Sequence, residues 1–233
     1  MKIQIEYENS DIIIINKPAG LAVQDITRWT PAHRLDKQTS GLLALAKNET
    51  GLEFLRGLFK SRNITKEYLA LVYGRIEKHG VIDKPLVKIG HEGSSRVRVD
   101  KAGRSSMTEY WPLAHYKLGV DPVRNSPPQG RSRRASAGAI SNGIDEFTLV
   151  RVRLHTGRTH QIRVHMLSEK HPVMGDDLYG KPQSQKLSEI LPRQFLHAAK
   201  LELQLPDKTW LEIESALPED LQTVLKYLSS KNE

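Results

Sequence analysis

Residues 33–47 read HRLDKQTSGLLALAK and join one carboxylate to the pattern of a buried strand. Asp36 follows the basic pair His33 and Arg34, and a polar Thr-Ser-Gly segment separates it from the apolar run LLALA at 42–46. A short, continuous apolar run is typical of a strand that is covered on both faces. The stretch therefore predicts an aspartate held at the entrance to a buried strand.

The flanking sequence predicts helices and strands that are interspersed without strict alternation. Asn48 is expected to cap a helix over 49–63, and Thr159 is expected to cap a helix that Pro172 prevents from continuing. Strand patterns occur at 2–7, 11–18, 42–46, 66–74 and 146–155, and the C-terminal part predicts two strands and a terminal helix. This order indicates an α+β fold rather than a doubly wound sheet.

Residues 120–143 differ in composition from the rest of the chain. They are rich in Pro, Gly, Ser, Ala and Arg and contain no aromatic residue. Such a segment cannot bury enough apolar surface to offset the entropy lost on ordering it. We predict a disordered insertion between two strands of a single domain that spans residues 1–233.

The charge of the chain favours a polyanionic partner. Lys and Arg number 35 against 27 Asp and Glu, so the formal net charge is +8. Nine basic and three acidic residues lie between Arg96 and Arg134. Binding to phosphates releases counterions, which rewards each added cation. Nucleic acid is the specific interpretation of this charge, and a solvated basic loop is the alternative.

Several classes of function have no support in the sequence. Without cysteine there is no disulfide, thiol nucleophile or thiolate metal site. Gly-rich phosphate loops are missing, and Ser40 lacks the GxSxG setting of a hydrolase nucleophile. His160 and His165 would point about 140° apart on a helix, unlike a zinc-binding pair. With no signal-peptide pattern and no apolar run of about 18 residues, we expect a cytoplasmic protein without a metal.

Arg163 is predicted to pair with Asp36. On its helix Arg163 shares one face with Thr159, Met166 and Leu167, and that face is expected to pack inward. A buried guanidinium needs an acid, because an unpaired buried charge costs several kcal/mol. Taken singly, the two residues also have ordinary interpretations, as a turn aspartate and as an arginine that holds the fold together.

Six stretches of the chain, in this order, resemble the RluA-type pseudouridine synthases. They are NKPAGL at 16–21, HRLDKQTSGLLALAKN at 33–48, KEYLALVYG at 66–74, GRTHQIRVHM at 157–166, HPVMGDDLYG at 171–180 and RQFLHAAKL at 193–201. The resemblance implies the pseudouridine synthase catalytic fold, a mixed and mostly antiparallel sheet with flanking helices. It also implies isomerisation of uridine to pseudouridine in structured RNA, without a cofactor or a metal.

Position by position, the resemblance implies three catalytic residues. Asp36 matches the catalytic aspartate, and Arg163 matches the arginine that pairs with it. Tyr68 matches the tyrosine that stacks on the target base and assists proton removal, although a tyrosine in a strand is often only a core residue. Residues of the same motifs predicted to bind the substrate are His33, Arg34, Thr39, Arg158 and His160.

The chemistry implied for Asp36 leaves three routes open. The carboxylate can attack C1′, attack C6 or assist an elimination. Each route needs an ionised acid in a dry pocket beside a fixed positive charge. The target uridine must also leave its stack, as in other enzymes that modify bases.

The implied partner is RNA, either tRNA or 23S-type rRNA. We expect a monomer, with no S4-like RNA-binding domain ahead of the catalytic sequence. The alternative is a catalytically inactive RNA-binding or RNA-chaperone protein on the same fold. The presence of Asp36, Tyr68 and Arg163 argues against this alternative, because a pure binder has no use for a buried acid near RNA phosphates.

Overall fold

The computed structural model describes residues 3–90, 96–119, 144–183 and 185–231. The predicted insertion at 120–143 lies outside these residues. The strands are β1 (Gln4–Glu8), β2 (Ile12–Lys17), β3 (Thr30–Pro31), β4 (Ser40–Ala46), β5 (Ile64–Tyr73), β6 (Gly80–Asp83), β7 (Leu86–Lys88), β8 (Val97–Val99), β9 (Met107–Gly119), β10 (Ile144–Leu154), β11 (Leu196–Gln204) and β12 (Trp210–Glu214). The helices are α1 (Glu49–Ser61), α2 (Gln161–Ser168), α3 (Gln185–Ile190) and α4 (Glu219–Ser229).

Ten of the described strands form one mixed sheet. Its order is β1-β2-β4-β11-β5-β10-β9-β6, with β12 paired to β11 and β3 paired to β4, while β7 and β8 form a separate pair. The neighbours in the large sheet are antiparallel except β4 and β11, which run parallel where Ser40 faces His197. The predicted α+β class, with a mostly antiparallel sheet and flanking helices, is confirmed.

The apolar run after Asp36 forms a central strand, as its sequence predicts. All seven residues of β4 are buried. Leu42 belongs to the same apolar cluster as Leu55 of α1, whereas Leu43 belongs to a cluster that contains Ile162 of α2. Both faces of β4 thus pack into apolar clusters, which explains why its apolar residues run without alternation.

The N-termini of α1 and α2 are formed differently from one another. Asn48 caps α1 as predicted, since its side chain accepts the N–H of Gly51 at 2.9 Å. The predicted cap at Thr159 is wrong, because the cap position of α2 is His160, whose φ of 54° is left-handed. No side chain caps α2, and the Gln161 side chain instead accepts the N–H of Arg158, in the turn before the helix, at 2.9 Å.

The face of α2 that carries Arg163 is only partly buried. Arg163 and Met166 are buried, as expected. Leu167 is 41% exposed, so the expectation that it packs inward is wrong. The helix ends at Ser168, and Leu167 therefore lies in a last turn that the sheet does not cover.

The segment 120–143 can be tested by replacing it. Gly119 and Ile144 are paired across β9 and β10, so two turn residues can join them. We expect that Asn-Gly in place of 120–143 leaves the fold intact, because loop-closure entropy changes slowly with length. Circular dichroism and thermal melting of the shortened and the full chain would check this. An insoluble or unfolded variant would show that the segment contributes to the core.

Candidate active site

Asp36 lies in a turn whose backbone is held by buried cations. Lys17 is completely buried, and its Nζ donates to the carbonyl of Lys37 at 3.2 Å. Arg193 donates from Nη1 to the carbonyl of Gln38 at 3.1 Å. These bonds fix the two residues that follow Asp36, and with them the direction in which its carboxylate leaves the backbone.

The two cations belong to larger buried networks. Lys17 also donates to the carbonyls of Pro18 and Leu21, at 2.8 and 2.9 Å, and burial followed by the charge of Arg193 lowers its pKa to about 8. Arg193 binds Asp220 of α4 through two bonds of 2.6 and 3.0 Å. The last helix is thereby connected to the turn of Asp36. Sequence reasoning missed both roles, since only their place in the NKPAGL and RQFLHAAKL motifs marks these residues.

The predicted contact between Arg163 and Asp36 is present, with Arg163 Nη1 3.1 Å from Asp36 Oδ2. A second acid, which the sequence did not indicate, binds the same guanidinium more closely. Asp176 accepts from Nε at 2.6 Å and from Nη2 at 2.7 Å, and its side chain is fully buried. Asp177 contributes a longer contact of 3.3 Å. Two acids thus share Arg163. Asp176 holds the guanidinium within the fold, and Asp36 binds it at the pocket.

The charge of Arg163 is secured by these acids. Burial alone would lower its pKa, but the hydrogen bonds and charge of Asp176, together with the charge of Asp36, raise the pKa above its ordinary value. The guanidinium is therefore a permanent cation beside the Asp36 carboxylate. This is the fixed positive charge that the sequence-based mechanism requires.

His160, predicted to bind the substrate, lies beside Asp36. Its Nε2 is 3.9 Å from Asp36 Oδ1, and its Nδ1 forms a hydrogen bond of 3.0 Å with the Tyr179 hydroxyl. That hydroxyl also accepts the N–H of Val97 at 2.7 Å, which fixes the ring of Tyr179. Burial lowers the pKa of His160, with the charge of Asp36 acting in the opposite direction. The imidazole is therefore neutral at neutral pH.

Tyr68 combines both roles considered from sequence. It is buried in the apolar cluster that contains Leu43 and Ile162, and it also lines the same pocket as Asp36. Burial, and then the charge of Asp36, raise the pKa of its hydroxyl above the ordinary value for tyrosine. The hydroxyl is therefore protonated throughout the neutral range.

The pocket that contains these residues has a volume of about 560 Å³. This size is typical of sites for small ligands and accommodates a single nucleotide. Among the described residues that line it, Asp36 is the only acid. The basic residues that line it are Arg34, Lys60, Arg62, Lys66, Arg153, Arg158 and Arg163. Such a pocket concentrates an anionic substrate around one carboxylate.

The remaining predicted substrate-binding residues divide into two groups. Arg34 and Arg158 line the pocket, and the Arg158 guanidinium donates to the carbonyl of Ser105 at 3.3 Å. Thr39 also lines the pocket, but it is buried and its hydroxyl accepts from Gln194 Nε2 at 2.8 Å. The hydroxyl of Thr39 thus holds the turn of Asp36 against the residue that precedes Phe195.

His33 has a structural function in addition to lining the pocket. Its Nε2 accepts the N–H of Ala44 at 2.9 Å, and its ring lies against Phe59 with the two centroids 4.7 Å apart. Burial, and then the charge of Lys66, lower its pKa to about 3. A neutral His33 therefore completes the hydrogen bonding of β4.

This function of His33 predicts a difference in stability that depends on pH. The pKa falls from about 6.5 in the unfolded chain to about 3 in the folded chain, so the unfolded state binds the additional proton between these values. Stability is consequently lost as the pH falls below 6.5. His33→Gln keeps a hydrogen-bond acceptor but does not titrate. We expect its free energy of unfolding to fall by roughly 1–3 kcal/mol less than that of the wild type between pH 7.5 and 4.5. Urea melts at both pH values measure this, and parallel losses would contradict the assignment.

The described residues contain no group of three or more His, Asp or Glu side chains arranged to hold a metal ion. In the same part of the chain, no helix has both the length and the apolar character needed to cross a membrane.

Comparison with known proteins gives the family of the chain. The model of a family described as RNA pseudouridylate synthase matches residues 11–168. The ribosomal large subunit pseudouridine synthase D of Buchnera aphidicola is 34% identical, over 96% of this chain and 72% of that protein. An uncharacterized RNA pseudouridine synthase of Aquifex aeolicus is 32% identical, over 97% of this chain and 73% of that protein.

A solved structure shows the same fold. Human RNA Pseudouridylate Synthase Domain Containing 4 superposes with a TM-score of 0.71 at 22% identity, covering 97% of this chain and 93% of that chain. The chain belongs to the RNA pseudouridylate synthase family. It is an isomerase that acts on RNA.

Proposed function

We propose that this chain converts uridine to pseudouridine in large-subunit ribosomal RNA and that Asp36 is its catalytic carboxylate. The supporting observation is the position of Asp36 as the one acid, among the described residues, that lines a pocket surrounded by cations. The cations attract the RNA backbone, and the acid can then contact the sugar and base of a nucleotide that has left its stack.

The reaction conserves all atoms of the nucleotide. The N1–C1′ bond breaks, a C5–C1′ bond forms, the proton on C5 leaves and N1 takes up a proton. Asp36 begins the reaction by attack at C1′, by attack at C6 or by assisting the elimination. In each case Arg163, 3.1 Å from Asp36 Oδ2, holds the carboxylate in place and stabilises its charge.

Tyr68 is proposed to contact the target base directly. Its ring belongs to the pocket wall, where an uracil can stack on it. Because the raised pKa keeps its hydroxyl protonated, Tyr68 enters the reaction as a hydrogen-bond donor and not as a phenolate. We propose that it assists removal of the C5 proton by orienting the base through this hydrogen bond, while water accepts the proton. His160 is proposed to contact the nucleotide beside Asp36, and Arg34 and Arg158 to contact RNA phosphates.

The relatives favour ribosomal RNA as the substrate, because the Buchnera protein is named for the large ribosomal subunit. From the sequence we still predict a monomeric, cytoplasmic protein with one domain and without metal or cofactor.

The test is release of tritium from RNA labelled at C5 of uridine. We expect the purified chain to release tritium from a transcript of large-subunit rRNA and not from a tRNA pool. Release from tRNA alone would replace the proposed substrate. RNA binding without release from either substrate would identify an inactive RNA-binding protein. Mapping pseudouridines in RNA from cells that lack the protein would then locate the modified position.

A further inference from the structure

Lys66 is a cation inside the pocket that has no acidic partner among the described residues. It lies on β5 two positions before Tyr68, and both side chains line the pocket. Its Nζ is 5.3 Å from the centroid of the Phe59 ring. The adjacent acid, Glu67, is already bound to Arg153 at 2.7 Å. Successive side chains of a strand point to opposite faces, so Glu67 does not serve Lys66.

The charge on Lys66 is unfavourable in the free protein. Burial lowers its pKa to about 8. Removing a cation from water costs free energy unless an anion accompanies it. A bound anion would offset that cost.

Arg158, a second cation without an ion-pair partner among the described residues, lines the same pocket as Lys66. The Lys66 amine extends to the turn that carries Arg158. Its Nζ would lie 3.9 Å from a Cβ atom added to Gly157, the residue before Arg158. Burial, and then the charges of Arg104 and Arg62, lower the pKa of Arg158. Arg158 is thus repelled by two other arginines, and none of the three forms an ion pair within the described residues.

We infer that Lys66 and Arg158 form the binding site for a phosphate group adjacent to the target uridine, with the exposed Arg62 and Arg104 on its solvent side. This inference rests on the proposed function, because it requires that a uridine enters the pocket. A phosphate is the anion that RNA supplies, and an Arg fork together with a Lys point charge is a common way to bind it.

The spacing of β5 agrees with this arrangement. Two residues of a strand span about 6.6 Å, which is close to the separation of the base and the phosphate within one nucleotide. A uracil stacked on Tyr68 would thus leave a phosphate within reach of Lys66. The site would hold the nucleotide at both ends and set the position of C1′ relative to Asp36.

The test compares three small probes that differ only in the phosphate. They are uridine, uridine 5′-monophosphate and uridine 3′-monophosphate, each titrated into the full chain and followed by NMR. We expect the wild type to bind one monophosphate roughly tenfold more tightly than uridine, the effect of a charge-assisted hydrogen bond. Lys66→Gln should lose this preference and keep its affinity for uridine. Lys66→Arg should restore part of it.

The matched control is Lys226→Gln, which removes one charge from the exposed surface of α4 and should keep the preference. Equal affinity of the wild type for all three probes would overturn the inference. So would a Lys66→Gln variant that weakens uridine and both monophosphates equally. If Lys66→Gln failed to fold, Arg158→Gln would decide, because a retained preference there also contradicts the site.

Failure of the inference and failure of the proposed function can be told apart. A wild type that prefers a monophosphate but releases no tritium from RNA has the phosphate site without the reaction. A wild type that releases tritium without any preference has the reaction without the phosphate site. Thermal melting adds a further check, because removal of an unpaired buried cation should leave Lys66→Gln at least as stable as the wild type.

Discussion

Asp36→Asn is expected to lower the turnover of RNA by at least roughly a thousandfold, since an amide is a poor nucleophile and a poor proton acceptor. The fold should tolerate the change. Arg163 keeps its two bonds to Asp176, and the amide oxygen of the new Asn can still accept from Arg163 Nη1. RNA affinity should stay within a few-fold, because loss of a negative charge does not weaken binding to a polyanion.

Single-turnover tritium release measures the rate, and a filter-binding titration with the same transcript measures the affinity. Mass spectrometry must show that the Asn has not deamidated, because regenerated Asp36 would restore activity. A verified Asn variant with wild-type turnover would remove Asp36 from the mechanism. A variant that lost affinity and rate together would indicate a binding function for the carboxylate.

The features of the site that were predicted from sequence are those fixed by local pattern and by charge balance. The apolar run at 42–46 is typical of a strand covered on both sides, and such a strand, present as β4, places Asp36 at its entrance. Because a buried guanidinium needs an acid, the sequence predicts that Arg163 pairs with Asp36, although 127 positions of the chain separate them. Both arguments use short stretches of residues and a strong energetic requirement, so they do not depend on the details of packing.

The features that were missed depend on which segments the sheet brings together. Asp176 follows Gly175 in a polar stretch, where its sequence resembles that of an exposed turn, yet its side chain is fully buried against Arg163. Lys17 and Arg193 reach the turn of Asp36 from β2 and from the residues before β11. Their donors bind backbone carbonyls, which every residue has, so no pairing rule in the sequence marks them.

The error at Thr159 has a related cause. Threonine is a common helix cap, but at this N-terminus the Gln161 side chain binds the N–H of Arg158. His160 then takes a left-handed conformation, uncommon for a residue other than glycine, beside Asp36. Local propensity gives way here to the geometry of the site, as is typical where function constrains the backbone.

Arg163→Met is expected to cost about 3–5 kcal/mol of stability, because it breaks a buried ion pair and leaves a charge without its partner. The loss should come mainly from Asp176. Its side chain is fully buried, whereas 16% of the Asp36 side chain is exposed at the pocket, where water can reach it. The catalytic rate should also fall, since Asp36 loses the cation that orients it. Arg163→Lys should be intermediate, because an ammonium restores charge without the fork.

Two double-mutant cycles measured by urea melts separate the two acids. Arg163→Met combined with Asp176→Asn should recover most of the loss, since no unpaired charge remains and the amide oxygen still accepts the N–H groups of Leu178 and Tyr179. Arg163→Met combined with Asp36→Asn should recover at most about 1 kcal/mol, the range for pairs that water reaches. Equal recovery in both cycles would mean that Asp36 is as deeply embedded in the ion-pair network as Asp176. In that case the carboxylate would be a structural acid, and the assignment of the catalytic role would have to move to another group in the pocket.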